Sequence, residues 1–519
     1  MAKSKASMRW LTLAIAILMV MGLLIGCSKG NNESAGNEAS APPASSASSK
    51  ETTAGSSTPE QPQEIVTIKS IYPGDKPKGL DPVLAKINEK LAADIGVKLE
   101  LSWAPWDQYN NKIVLSVAAG EDVDFIWSGS SSLSQFAAQK IIAPLDEAMA
   151  KYGKPIYDNI DGKLFDTMKL DGKLMGIPST GNSPLADVYH SILYREDLRL
   201  KYNLPRPDSV DNLEAYLKAI KTNEKEMDPI TSNSAAYIIM KKFGPEDFLG
   251  GTGSSVGYKI NDDRSVTLMP VQEMTSLNEA NKKAREWFQA GYIPKDILNI
   301  GDVTSRLLAG ATAMTNGAAL TASEQQGTMS ANVPGAILDN QPFFGDKKYI
   351  ASNGGNALFL TSVSKHADKV VQFWSWVFSS QENFDLYNYG IEGVNYELKD
   401  NRVAFLDDGY TAFPGWMFKN MNFLRFPAGI SDEYIDSMKK WDEGAEISPL
   451  MGFTFNPENV KTELAQVNSV WNAYSKTLES GIVDPQQIMP EFIDKMKAAG
   501  QDKILQDAQK QIDAFLAAK

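Results

Sequence analysis

The chain has 519 residues, with 64 acidic against 51 basic side chains, two histidines, one cysteine and a formal net charge of −13 at pH 7. Such an acidic balance argues against nucleic acid as a partner, and no basic stripe with interleaved aromatics offsets it. Two histidines and one thiol, without an HExxH pair or a complete calcium loop, support neither a catalytic nor a structural metal site, and no cofactor is called for.

The first element is an N-terminal signal. Lys3, Lys5 and Arg9 precede an uncharged apolar run from Trp10 to Gly26, followed at once by the single cysteine, Cys27. A cationic segment, a short apolar core and a small residue at the cut make a secretory signal. The run is marginal as a membrane span, which takes about 20 apolar residues. Leu24, Ile25, Gly26 and Cys27 resemble a bacterial lipobox. That resemblance implies removal of residues 1–26 and attachment of diacylglycerol to Cys27, whose two acyl chains suffice for stable anchoring on a bilayer. Loss of three cations and no acid then takes the net charge from −13 to −16. Residues 27–64 contain no aromatic and almost no aliphatic side chain, so they predict a disordered tether with a reach of about 35 Å.

The body from residue 65 onward, about 455 residues, exceeds what one core usually supports and predicts two lobes. Ile65 to Ile71 predicts a strand. Asp81 as N-cap, Pro82 at the first helical position and the stripe Leu84, Ile87, Leu91 predict a helix that Gly96 ends. Val97, Leu99, Leu101 and Trp103 alternate as a second strand. A helix over Asn111 to Ala119, a strand over Val123 to Trp127 and a helix from about Leu133 to Tyr152 follow. This alternation predicts a parallel α/β sheet covered by helices. Near the C-terminus Leu464, Val467, Trp471, Tyr474 and Leu478 recur at helical spacing, as do Leu505, Ala508, Ile512 and Phe515. The Asp-Gly-Lys-Leu stretches at Asp161 and Asp171 read as turns.

In parallel α/β sheets ligands sit outside the carboxyl ends of strands, so the loops after the strands are the candidate site. The first strand ends in Pro73, Gly74, Asp75 and Lys76; the second in Trp103 and Trp106; the third in Trp127, Ser128 and Gly129.

The motifs GED before DFIWSG, AQKIIAPLDEAMAKYG, LDGKLMGIP and SILYREDLRLKYNLPRPDSVDNLEAYLKAI resemble the solute-binding lipoproteins of bacterial ABC importers. LYNYGIEGVNYELKD and GFTFNPENVKTELAQVNSVWNAYSKTLESGIVDP resemble the LipO-type subgroup. The resemblance implies a type II periplasmic-binding-protein-like fold: two discontinuous α/β lobes joined by hinge strands, with a helical C-terminus. It divides the body into a first lobe (65–183 and 349–395) and a second (184–348 and 396–519). It also implies a monomer on the outer face of the cell membrane that hands a solute, with oligosaccharide foremost, to ABC permease subunits.

Ligand contacts are expected at Asp75, Lys76, Trp106, Trp127, Ser128, Asn353, Asn356, Glu392, Trp416 and Arg425. Trp127 and the pair Asp75 and Lys76 match positions of maltose-type binders; Trp416 and Arg425 are expected on the second lobe by analogy. Each has a plainer reading: Trp127 as core, Asp75 and Lys76 as a charged turn, Trp106 as a staple at the entry of a helix. Asn353 and Asn356 flank a Gly-Gly hinge, and Glu392 can instead fix its own turn through neighbouring amides. His190, in the hinge segment, reads as a satisfied neighbour.

Two enzyme readings compete. Gly253 to Gly257 fit a nucleophile elbow with Ser255 as nucleophile, but neither a preceding strand nor a following helix is predicted, and the one downstream histidine, His366, sits at a helix start. A glycoside hydrolase would need two carboxylates about 5 to 9 Å apart, and no acid pair stands out. A binder of peptides or other small polar solutes is the remaining alternative.

Overall fold

The computed structural model describes residues 64–106, 108–350, 355–406 and 417–518. Cys27, Asn353 and Trp416, like the signal and tether, lie outside the described residues. No helix among those described is long and apolar enough to cross a membrane.

The first lobe begins with β1 (Val66–Pro73), α1 (Leu80–Ile95), β2 (Val97–Ala104), α2 (Tyr109–Ala118), β3 (Phe125–Gly129) and α3 (Leu133–Ala138). β1 runs parallel to β2, Val66 opposite Val97 and Pro73 opposite Ala104, and parallel to β3 on its other edge. The chain thus steps outward from β1 and then back across it, so right-handed crossovers put α1 and α2 on opposite faces. A fourth strand, Asn356–Leu360, joins β3 antiparallel.

Local chemistry departs from expectation in three places. α1 starts at Leu80 behind a left-handed Gly79, and Asp81 lies inside its first turn, where it favours the helix dipole and receives Lys76. The helix expected over 133–152 is two, Leu133–Ala138 and Asp146–Tyr152. Between them Lys140 adopts a φ of 56° and Ile142 bridges to Thr361, a tertiary contact that no local pattern shows. Asp171 and Gly172, both at positive φ, do form a hairpin turn, whereas Asp161 caps the helix Gly162–Asp166.

The second lobe is built on an antiparallel sheet, with Ser191–Arg195 between Met314–Gly317 and Leu338–Pro342. All five residues of Ser191–Arg195 are buried. Alternation sends Ile192 and Tyr194 into one apolar core and Leu193 into another, so the two cores are the two faces of one sheet. The C-terminal helices Lys461–Glu479, Pro485–Ala498 and Gln501–Ala517 pack on the first of these through Val467, Phe492, Met496, Ala508 and Ile512.

Tyr396, Val403, Met417 and Phe418 belong to the first-lobe core, with Ile68, Phe125 and Phe359. The first lobe therefore runs past residue 395, where the sequence placed the return to the second. Three stretches pass between the cores and hold one another. Asn182 donates to the Asn420 side chain at 2.6 Å, Asp442 accepts from the amides of Leu185 and Ala186, and Tyr349–Ile350 runs parallel to Glu446–Ile447.

Candidate functional site

The carboxyl ends of β1, β2 and β3 gather an aromatic edge. Register places Tyr72 opposite Trp103, whose ring meets it edge-on at 5.5 Å. Tyr109, in the first turn of α2, is buried and donates its hydroxyl to the Trp127 carbonyl at 2.8 Å, tying α2 to β3. Its ring lies 6.1 Å from that of Trp127, and Trp106 stands perpendicular to Trp127 at 5.8 Å. Trp106 itself is 60% exposed, an indole held at the rim with its body in water. Gly74 makes this possible: its φ is 90°, and a β-carbon there would come within 3.2 Å of the Trp106 Nε1.

The expected contacts sort around this edge. Trp106, Trp127 and Ser128 are at the edge, with Asp75 and Lys76 exposed in the loop that follows β1. Lys76 is paired with Asp81 at 2.5 Å. Ser128 is buried and donates to the Ser132 hydroxyl at 2.8 Å. Asn356 begins the strand beside β3, opposite Gly129, and its amide donates to Thr180 Oγ1. Glu392 and Arg425 are elsewhere. Glu392 is exposed, and the turn around it is closed by Asn395, whose side chain accepts from the Ile391 amide at 2.8 Å. Arg425, expected on the second lobe, instead binds the first-lobe helix Gln381–Tyr389: its Nε reaches Asp385 at 2.7 Å and its Nη1 the Asn401 side chain.

Sequence reasoning did not single out Tyr72 or Tyr109. Tyr109 follows Trp106 by three residues, the spacing that puts side chains together at a helix start. Tyr189, 67% exposed in a stretch between the cores, carried no signal at all.

Beside Tyr189 the fold assembles Asp187, His190 and Asp247, with ligand atoms within 4.8 Å of one another. The cation here is Lys241, whose Nζ lies 2.8 Å from Asp247 and 3.9 Å from Asp187. Burial pushes the Asp247 carboxyl up, but Lys241 and His190 more than offset this and leave it below the usual range. Burial keeps Asp187 raised against the pull of Lys241. His190 lies against Tyr237, its Nδ1 at 3.1 Å from the Tyr237 carbonyl. The group is a buried ionic knot next to the crossing stretches.

Ser255 is no nucleophile elbow. It precedes a strand, Val256–Ile260, is buried, and donates to the Thr252 carbonyl at 2.5 Å. His366 stands at the start of a first-lobe helix, whereas Ser255 adjoins the second-lobe core.

Two α/β lobes joined by several crossing stretches, with an aromatic rim on one sheet edge, define a two-lobed solute receptor of the type II periplasmic class. Residues 77–384 match the model of the bacterial extracellular solute-binding proteins, and the chain belongs to that family. Residues 449–517 match a domain of unknown function (DUF3502). A carbohydrate ABC transporter substrate-binding protein of Streptococcus pneumoniae serotype 4 (strain ATCC BAA-334 / TIGR4) is 27% identical over 459 residues, 86% of this chain and 91% of its own length. The crystal structure of the N-glycan transport solute-binding protein NgtS from Streptococcus pneumoniae matches with a TM-score of 0.73 and 25% identity over 87% of this chain and 99% of that one. Its complex with Man5GlcNAc matches at 0.66 and 26%, with the same coverage.

Proposed function

We propose that this protein captures a neutral oligosaccharide between its lobes and delivers it to an ABC permease without chemical change. The observation that carries the reading is the rim of Trp106 and Trp127 on the carboxyl edge of the first-lobe sheet, flat apolar faces of the kind that cover sugar rings. The similarity to NgtS, solved with Man1GlcNAc and with Man5GlcNAc, supports the choice of ligand. On this reading Asp75 reads sugar hydroxyls beside that rim, and Ser128, Asn356, Asn353, Trp416 and Glu392 are further candidate contacts. A ligand that touches both lobes favours the closed form, since only differential contact shifts such an equilibrium.

Calorimetric titration of the full-length chain with Man1GlcNAc and Man5GlcNAc, followed by analysis of the recovered sugar, tests this. Binding with intact recovery is expected, and Trp106→Ala should weaken it by about 30-fold, the loss of about 2 kcal/mol typical of a well-placed tryptophan. Cleavage would replace the receptor by a hydrolase; silence toward both sugars would remove the ligand class.

Residues 1–26 complete the proposal as a lipoprotein signal whose removal leaves an acylated Cys27 to hold the receptor on the outer face of the membrane. Cys27→Ala should abolish acylation and free the protein from the membrane fraction or leave the signal uncut. Wild-type processing and retention in that variant would refute the anchor.

A further inference from the structure

A groove of about 370 Å³ opens between α2 and α3 on the first lobe. It is lined by Asn110, Asn111, Val114 and Leu115 from α2, and by Ser132, Gln135, Phe136 and Gln139 along α3. Asn110 and Asn111 lie in the first turn of α2, one residue beyond Tyr109, and Ser132 immediately precedes α3. The groove therefore begins at the same carboxyl edge that carries Trp106 and Trp127 and runs away from it along two helices.

Its chemistry is specific. None of the lining side chains is charged; the nearby Lys112 is paired with Glu121 at 3.4 Å. The side-chain amides of Asn110, Asn111, Gln135 and Gln139 have no hydrogen-bond partner among the described residues, whereas amides such as Asn88, Gln326 and Asn395 are committed to the backbone. Each free carboxamide offers both donors and acceptors. Ser132 accepts from Ser128, which leaves its own proton free to be given away. Leu115, 68% exposed, and Val114 add an apolar strip within the amides. The residues fall in pairs four apart, Asn110 with Val114, Asn111 with Leu115 and Ser132 with Phe136, so one helical face presents polar and apolar groups together. An uncharged surface with paired donor and acceptor groups around an apolar strip matches a pyranose unit, whose hydroxyls ring a C–H face. It offers no charged side chain to pair with a phosphate, a carboxylate or an ammonium group.

We propose that this groove is a second carbohydrate subsite, which takes outer units of a glycan whose inner units lie at the tryptophan rim. The proposal rests on the oligosaccharide reading above and extends it: ligand length and branching are selected outside the interlobe cleft, on the first lobe alone. From Asn110 to Leu115 the helix rises about 7.5 Å, so a short ligand held at the rim does not use the groove, while a branched one enters it.

The test compares the full-length wild type with Asn111→Ala/Gln135→Ala, both exposed side chains, by calorimetry against Man1GlcNAc and Man5GlcNAc, with melting temperature measured in parallel. Affinity for Man5GlcNAc should fall at least tenfold while that for Man1GlcNAc stays within twofold and the melting temperature is unchanged. Equal losses for both sugars, or a loss for neither, overturn the subsite and leave the receptor reading standing. If the wild type binds neither sugar, the oligosaccharide reading fails and the subsite with it.

Discussion

Arg425→Ala will cost the protein about 3–5 kcal/mol of stability, the penalty for stranding one partner of a buried ion pair. Asp385 is 8% exposed and Arg425 14%, with Nε and Oδ2 2.7 Å apart. Asp385 also accepts from Gln381 at 2.8 Å, and the backbone of Arg425 exchanges hydrogen bonds with the Tyr389 hydroxyl. Burial already holds the Asp385 carboxyl above its ordinary range, opposed chiefly by Arg425. Without the guanidinium that carboxyl must take up a proton or remain as an uncompensated charge. Denaturant unfolding of Arg425→Ala, Asp385→Asn and the double variant should give a coupling of more than 1 kcal/mol, since contacting groups are not additive. Sugar affinity of the folded variant should stay near wild type. Unchanged stability with lost affinity would return Arg425 to the ligand wall where the sequence placed it.

That case shows what the sequence made legible and what it hid. β1, α1, β2 and β3 were readable because each obeys a short period in its own residues, and the rim followed because Trp106 comes two residues after β2 and Trp127 lies within β3, near its carboxyl end. Gly96 ends α1 with a φ of 63°, a local event with a local signal. The partner of Arg425, by contrast, is 40 residues away, and the residue that closes the GIEGVNY turn is Asn395 because it fits over Gly390, not because it is the acidic one. The antiparallel second-lobe sheet was missed for the same reason: pairing of Ser191–Arg195 with Met314–Gly317 spans more than a hundred residues and leaves five consecutive buried positions with no alternation to read. The knot of Asp187, His190, Lys241 and Asp247 draws on three separate segments, and no spacing rule joins them. The groove beside α2 was hidden in a different way. Its amides are ordinary surface residues in sequence, and only the absence of charge and of hydrogen-bond partners among the described residues sets them apart.

Glu479 should make a contribution to stability that is lost as pH rises from about 4.5 to about 8, and Glu479→Gln should remove that contribution. Glu479 closes the helix Lys461–Glu479 and lines a small cavity with Asn281, Ser475, Met489 and Phe492. Burial alone lifts its carboxyl from 4.5 to about 8. The helix C-terminus adds a further reason for the charge to be unwelcome. Asn281 Oδ1, buried on the same cavity, has no hydrogen-bond partner among the described residues, so the cavity that holds the neutral acid also contains an unpaired acceptor. In the window between those two values the native state keeps a proton that the unfolded chain has released, which makes the unfolded state the poorer binder and lowers stability with each increment of pH. The contribution is whole below about 4.5 and gone above about 8. Over that window linkage allows at most about 4–5 kcal/mol, and entry of water into the cavity should reduce it to about 2 kcal/mol. Glutamine keeps the shape, carries no charge at any pH in the range and still offers a donor. Glu479→Gln is therefore expected to match wild type near pH 4.5 and to melt higher at pH 8. Parallel stability curves for the two proteins across that range would show that Glu479 is ionised in the folded state, with water or a mobile neighbour supplying the compensation.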